Sequence, residues 1–514
     1  MMKIVFATLF LLGICCDLFA QSSDSTLMFL FNNNDLTTPI DNERYFTAPS
    51  ESFTHAQLMD LPASNQAELL HKVLIIVDSS LYSVLNYEIN RYAYDIHYVY
   101  GCNVIMEQIN SETCQDIKGL IIYYHNNLDG CVLIGDIVPA FYETDKDYAS
   151  PNSYDSINWP CDLYYMDLTG NWTDINHNNI FDTYTGDKRP EIFLGRISTS
   201  NMGNLIGEIE GIRLYLKKNH NYWIGHRHIN KKYALSYTNK DWVKPNQINV
   251  TNNFRHSISA LYGSNNYEHI DERANSDVFG KTDYRQRLQN EKYEFIQLAS
   301  HSRDTAHFNF GQHNDTILWN KVFSYSIKNL GFNLFCCSAC RWTSSSSTNA
   351  FLAGDYIYSP NSEGLCVVGS TKMGGMYPFA AFYSSLGQGK TMGQALIDWW
   401  SSYSMPSYTQ QQILCWNFGL TIIGDPLVNF FHCTNNTCID HLTLTSYDSA
   451  NSPLSYYLTS ESILVSPSTG WFAIPQGDHC ILNSPSVLIE GSFECPIGSS
   501  LEILNEGCMQ NCDE

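Results

Sequence analysis

The sequence predicts an α/β protein, with parallel sheets flanked by helices in two subdomains and a small cysteine-rich all-β module at the C-terminal end. Three observations predict it. Short apolar runs alternate with helical stretches between residues 71 and 430, the pattern of buried parallel strands joined by crossover helices. From Cys433 the texture shifts to short runs broken by Gly, Ser and Pro. The 514 residues, 44% hydrophobic and only 16% charged, can bury a large core without disulfides.

Taken in order, residues 1–20 read as an export signal: Lys3, an apolar run from Ile4 to Cys16, then small Ala20 at the cut. Residues 21–70 are polar and aperiodic, an N-terminal extension or pro-segment. The first subsheet, in 71–225, starts with the strand Val73–Val77, a helix to Asp95 and a run from His97 to Val104, followed by strands at Leu120–Tyr124 and Val132–Ile134. The second, in 226–430, has runs at Lys232–Tyr237, Tyr267–Ile270, Glu294–Leu298, Gly331–Phe335, Gly364–Gly369 and Phe418–Pro426, with a helix around Phe254–Leu261. Residues 431–514 form the β module, which holds Cys433, Cys438, Cys480, Cys495, Cys508 and Cys512.

Charge and cysteine content narrow the function. With 29 Lys+Arg against 52 Asp+Glu, a formal charge of -23, the chain lacks the basic face that phosphate neutralisation needs. Beyond the signal, no apolar run reaches the roughly 18 residues of a membrane span. Of 17 cysteines, two lie in the signal, and 17 - 2 = 15 is odd. An exported chain with an odd count implies a free, reactive thiol.

Ligands of open α/β sheets bind where strands end, and two runs end unusually, in Ala299-Ser-His301-Ser302 and in Cys336-Cys-Ser-Ala-Cys340. A His and a Cys at neighbouring strand ends are the minimum of a cysteine peptidase, the thiolate attacking and the imidazole protonating the leaving amine. Backbone N–H groups there can hold the oxyanion. A second pattern, Asp174-Ile-Asn176-His-Asn178-Asn-Ile180-Phe-Asp182, alternates oxygen side chains as calcium loops do, without the Gly and Glu of an EF-hand. The reading is a structural Ca2+ site at Asp174, Asn176, Asn178 and Asp182, against the plainer one of a solvated Asx-rich turn.

Over residues 72 to 430 the chain resembles the gingipain-type cysteine peptidases, family C25 of the caspase-like clan. The resemblance rests on Phe295–Ser302, Leu334–Cys340, Val132–Asp136 with Pro139, Asp162–Tyr165, Pro190–Ile197 and Phe418–Pro426, in the family's order. It implies a caspase-like, gingipain-like fold and a secreted or bacterial cell-surface endopeptidase acting on proteins or peptides, with no cofactor for catalysis. It makes Cys340 the nucleophile because that cysteine follows small Ala339 at the strand exit, His301 the proton shuttle and the Ser302 N–H an oxyanion donor, with Cys336 and Cys337 as core residues or a structural pair. His307 joins the same loop.

Two positions depart from the family pattern. His-Gly is His-Ser here, and the strand that carries the family's histidine-orienting acid ends in Asn239, leaving Asp241 as the nearest carboxylate. These departures motivate a rival, a catalytically silent binding or adhesion protein; a transpeptidase that processes exported proteins is the second. Arginine-specific relatives carry an acid on the wall that corresponds to Asn246–Asn253, which has no carboxylate here. The opposite wall offers Lys372 and Met376. The expectation is an enzyme that is not specific for Arg or Lys, with an acidic or polar P1 residue if Lys372 faces the pocket.

Overall fold

The computed structural model describes residues 57–58, 71–97, 102–110, 112–144, 157–223, 233–239, 248–263, 267–274, 280–310, 315–343, 350–402, 417–430, 439–444, 454–466, 472–474, 479–490 and 493–504. The export signal, most of the N-terminal extension and Asp241 lie outside them. No helix among the described residues is long and apolar enough to cross a membrane.

One eleven-stranded sheet organises both subdomains. Its strands are β1 (Gln57–Leu58), β2 (Lys72–Asp78), β3 (Asn103–Ile109), β4 (Leu128–Ile134), β5 (Phe193–Ile197), β6 (Ala234–Thr238), β7 (Ile270–Ala274), β8 (Phe295–Ala299), β9 (Gly331–Phe335), β10 (Cys366–Ser370) and β11 (Leu420–Gly424). Their spatial order is β1-β3-β2-β4-β5-β11-β10-β9-β8-β6-β7. Within each half the strands run parallel, apart from the short edge strand β1. Strand β11 is the seam: it is parallel to β5 and antiparallel to β10. The two parallel subsheets therefore fuse edge to edge but point in opposite directions.

Both faces of the sheet are covered, which is why its strands read as unbroken apolar runs rather than alternating ones. In β2, Leu74 and Ile76 face one core while Val73, Ile75 and Val77 face the other. Helix α1 (Ser79–Asp95) starts where the Asp78 carboxylate caps the N–H groups of Ser80 and Leu81, at 2.8 and 3.3 Å.

The structure corrects three element assignments. The run Leu120–Tyr124 belongs to helix α2 (Cys114–Tyr123), not to a strand. A reciprocal capping box between Thr113 and Asp116 starts this helix, and Ile117 and Ile121 face the core four residues apart while Tyr123 stands exposed. The second strand of the chain's main body lies at Asn103–Ile109 and shares only Asn103 and Val104 with the His97–Val104 run. Residues Tyr267–His269 form a 3-10 turn that leads into β7.

The tail is β in its described strands, and its strands pair in parallel. Leu454 lies beside His479 and His479 beside Ser500, while Phe472 lies beside Phe493. A chain that returns parallel to itself through short connections is a coil of stacked turns. Leu444, Ile463, Val465, Phe472, Ile474, Cys480 and Leu482 fill its inside. The coil docks on α1, where the Tyr87 hydroxyl donates to Glu502 at 2.8 Å. Of its cysteines only Cys480 and Cys495 are described, and Cys480 is buried.

Candidate active site

The strand exits of β8, β9 and β10 lie side by side. Ala299 lies beside Phe335, and one residue on the Ser300 N–H still donates to the Phe335 carbonyl at 3.3 Å. His301 and Cys337 each follow two residues after those partners. Cys336 packs with Leu298 and Leu334, opposite the face of Ala299 and Phe335, and His301 and Cys337 follow just past the strand ends. A direct bond ties the exits together: the Ser302 hydroxyl donates to the Cys337 carbonyl at 2.6 Å. His301 and Cys337 are both half-buried, open enough to meet a substrate.

The three clustered cysteines occupy three environments. Cys336 is buried, with its thiol 3.7 Å from the Leu298 carbonyl, and burial pushes that thiol up. Cys340 is 0% exposed. Its N–H donates to the Ser370 carbonyl at 3.0 Å, and its sulfur sits where a Cβ on Gly369 would come within 2.7 Å, so only glycine fits opposite it. Burial, with the Cys336 thiol and the Asp162 carboxylate adding to it, pushes the Cys340 thiol well above its ordinary range. A nucleophile must be a thiolate that substrate can reach. Cys340, the nucleophile expected from the sequence, has the position of a core residue, whereas Cys337, read as a core residue or one of a structural pair, stands half-buried at the strand exit.

The remaining expected residues are placed as follows. Asp241 lies outside the described residues; Asn239 is buried at the exit of β6, its N–H donating to the Ala299 carbonyl at 2.8 Å. Lys372 is buried at the exit of β10, where its carbonyl accepts the Ser338 N–H at 2.9 Å. Its ammonium donates to the Met373 carbonyl at 2.6 Å and lies 5.0 Å from the centre of the Trp159 ring. Met376 is buried in the same aromatic wall, beside Tyr377, whose ring stacks on Phe254 at 5.4 Å.

At the Asx-rich loop both carboxylates are engaged by backbone. Asp174 accepts the N–H groups of Asn178 and Asn179 at 3.2 and 2.8 Å, and Asp182 those of Ile175 and Asn176 at 3.1 and 3.2 Å. The amides of Asn176 and Asn178 converge on Glu143 at 2.7 and 2.8 Å. Among the described residues, no group of three or more His, Cys, Asp or Glu side chains is placed to hold a metal ion.

His307 sits on the hairpin that begins at His301, across from Ser302. It does not line the site: it is fully buried, its Nε2 pairs with the Tyr356 hydroxyl at 3.1 Å, and Tyr356 meets Tyr284 at 2.8 Å.

The family profile of peptidase family C25 matches residues 70–431. No curated protein matches the sequence.

Burial lowers the His307 pKa to about 3, against 6.5 for a free imidazole. Below pH 6.5 the unfolded chain takes up a proton that the folded chain refuses until about pH 3, so His307 withdraws stability as pH falls through that window, by at most about 1.4 kcal/mol per unit. The unfolding free energy of His307→Gln, followed by urea denaturation from pH 6 to pH 4, should fall less steeply than that of the parent; equal slopes would refute the assignment.

Proposed function

The chain belongs to peptidase family C25 and is a cysteine peptidase acting on protein substrates, and from that premise we propose that it is an exported endopeptidase whose nucleophile is Cys337, with His301 as its acid–base partner. The observation that supports this reading is the shared register of the two strands, which ends with Ala299 beside Phe335, together with the Ser302 bond to the Cys337 carbonyl that joins the two exits. The thiolate of Cys337 attacks the scissile carbonyl and His301 protonates the departing amine. Water, deprotonated by the same imidazole, then releases the acyl group.

The oxyanion donor expected at Ser302 is compatible with its hairpin. Asp304 and Thr305 form a two-residue turn that makes Arg303 and Ala306 the hydrogen-bonded pair. Pairs alternate along an antiparallel ladder, so the Ser302 N–H points away from His307 and off the hairpin. The Ser338 N–H is already taken by the Lys372 carbonyl.

Cys337→Ala should abolish peptide turnover and alkylation by a peptidyl acyloxymethyl ketone, while Cys340→Ala keeps a nucleophile and loses stability by about 1–2 kcal/mol through its small cavity. Loss of alkylation in Cys340→Ala, with the protein folded and Cys337→Ala still labelled, would return the role to Cys340.

The buried Lys372 ammonium beside the strand exits disfavours a second cation in the adjoining subsite, and Asn246–Asn253 offers that cation no counter-ion. A positional-scanning peptide library should show no exclusive cleavage after Arg or Lys, and any preference for acidic P1 residues should weaken in Lys372→Ala. Exclusive cleavage after Arg or Lys would sink this specificity.

At the Asx-rich loop we propose a structural Ca2+, supported by the oxygen side chains of Asp174, Asn176, Asn178 and Asp182, with Glu143 added. Calcium bound only by the folded state raises the thermal midpoint by mass action, so chelation should lower the midpoint and added calcium restore it. An unchanged midpoint removes the ion.

A further inference from the structure

The peptide bond that follows Cys337 is held at both ends. Its carbonyl accepts the Ser302 hydroxyl at 2.6 Å, and its N–H, on Ser338, donates to the Lys372 carbonyl at 2.9 Å. The two contacts come from opposite neighbours, the exit of β8 on one side and the exit of β10 on the other. A planar peptide fixed at its oxygen and at its nitrogen cannot rotate, so the backbone torsion that aims the Cys337 side chain is set. Immediately afterwards Ser338 turns the chain with a φ of 58°, a left-handed conformation that a non-glycine residue holds only where its surroundings impose it.

We propose that the Ser302 hydroxyl is a positioning group for the nucleophile: it clamps the Cys337 carbonyl and so holds the thiol in line with His301 on the adjoining exit. This rests on the reading of Cys337 as the nucleophile. Glycine, which the His-Gly pattern would place after the histidine, supplies an N–H but no hydroxyl. In this chain the residue after the histidine thus has two functions, its backbone N–H facing the oxyanion and its side chain bracing the cysteine loop. The brace joins the two catalytic elements directly, so His301 and Cys337 move as one unit.

The consequence is kinetic. Without the hydroxyl the Cys337–Ser338 peptide is held from the Lys372 side alone, and the thiol samples orientations away from the imidazole. Substrate recognition by the surrounding walls is untouched, so the effect falls on the bond-making step.

The full chain and its variants Ser302→Ala, Ser302→Gly and Ser302→Thr would be alkylated with a peptidyl acyloxymethyl ketone over a range of concentrations and pH. The maximal alkylation rate should fall about five- to tenfold in the Ala and Gly variants, the order expected for losing one hydrogen bond and slightly misplacing a reacting group. The inhibitor concentration at half-maximal rate should stay within about twofold. The pH midpoint of alkylation should rise, because the thiolate loses its aligned imidazolium. Threonine, which keeps the hydroxyl, should restore rate and midpoint. Parent-like rates and pH profiles in Ser302→Ala, or a deficit that Thr fails to repair, overturn the clamp. If the parent chain itself is not alkylated at Cys337, the proposed nucleophile fails and the clamp with it; alkylation at Cys337 with unaffected Ser302 variants defeats the clamp alone.

Discussion

The buried pair between Arg196 and Asp162 ties together segments that the seam would otherwise leave to a few strand contacts. The Arg196 Nε sits 3.0 Å from both Asp162 oxygens and an Nη 2.8 Å from one of them, while the other Nη donates to the Ile137 carbonyl at 2.9 Å. Thr421, on the seam strand β11, donates to the same carboxylate at 2.5 Å. The guanidinium also lies 4.4 Å from the centre of the Trp342 ring, in the segment that follows the cysteine cluster. One cation therefore joins β5, the loop after β4, the turn that carries Asp162, the seam and the cysteine loop. Two charges at 3% and 1% exposure are retained only because almost every donor and acceptor is paired. Losing either partner would leave the other buried and uncompensated, a cost of about 3–5 kcal/mol.

That pair matters because the seam is narrow. The contact of β11 with β5 consists of a single aligned pair, Ile423 beside Arg196. On its other side β11 has a full antiparallel ladder with β10, from Cys366 beside Gly424 to Ser370 beside Leu420. The first subsheet is thus fastened to the second less by backbone ladder than by side chains. Asp425, just past the seam, adds a second set of ties: it is fully buried and accepts from the Tyr92 hydroxyl and the Asn219 amide, both at 2.8 Å. Its neighbours come from α1 and from the helix Glu208–Trp223, so the helical layer is fixed to the same corner.

Most of the strand framework was legible because parallel strands covered on both faces must be apolar throughout, and runs such as Val73–Val77 and Gly331–Phe335 admit few other readings. The opposed direction of the two halves was not legible, since it depends on which edges meet across β11, and an apolar run looks alike from either direction. The run Leu120–Tyr124 misled because five apolar or aromatic residues in a row fit either period; the decisive signal lay upstream, in Thr113 and Asp116, whose spacing starts a helix. In the tail the all-β texture was readable, but not its parallel pairing, because the recurrence from Leu454 to His479 to Ser500 involves dissimilar residues.

The site was legible as a place and ambiguous as a residue. His301 drew attention because it ends an apolar run, where ligands of open α/β sheets bind, and because the family resemblance falls on it. The cysteine was harder, since Cys336, Cys337 and Cys340 share one loop and a small residue precedes only the last. Counting from the strand rather than from the small residue separates them. In β9, Phe332 and Leu334 face one core and Phe335 the other, so Cys336 continues the first face, and Cys337 is the first residue after the strand that is not buried. The same count on β8 leads from Ala299, the last residue aligned with β9, to His301. Cys340 turns back beneath the loop against Gly369, where the lack of a side chain makes room for its sulfur. Three thiols within five residues thereby acquire different surroundings from position alone: burial pushes two of them up, and the third stands half-buried at the exit of β9.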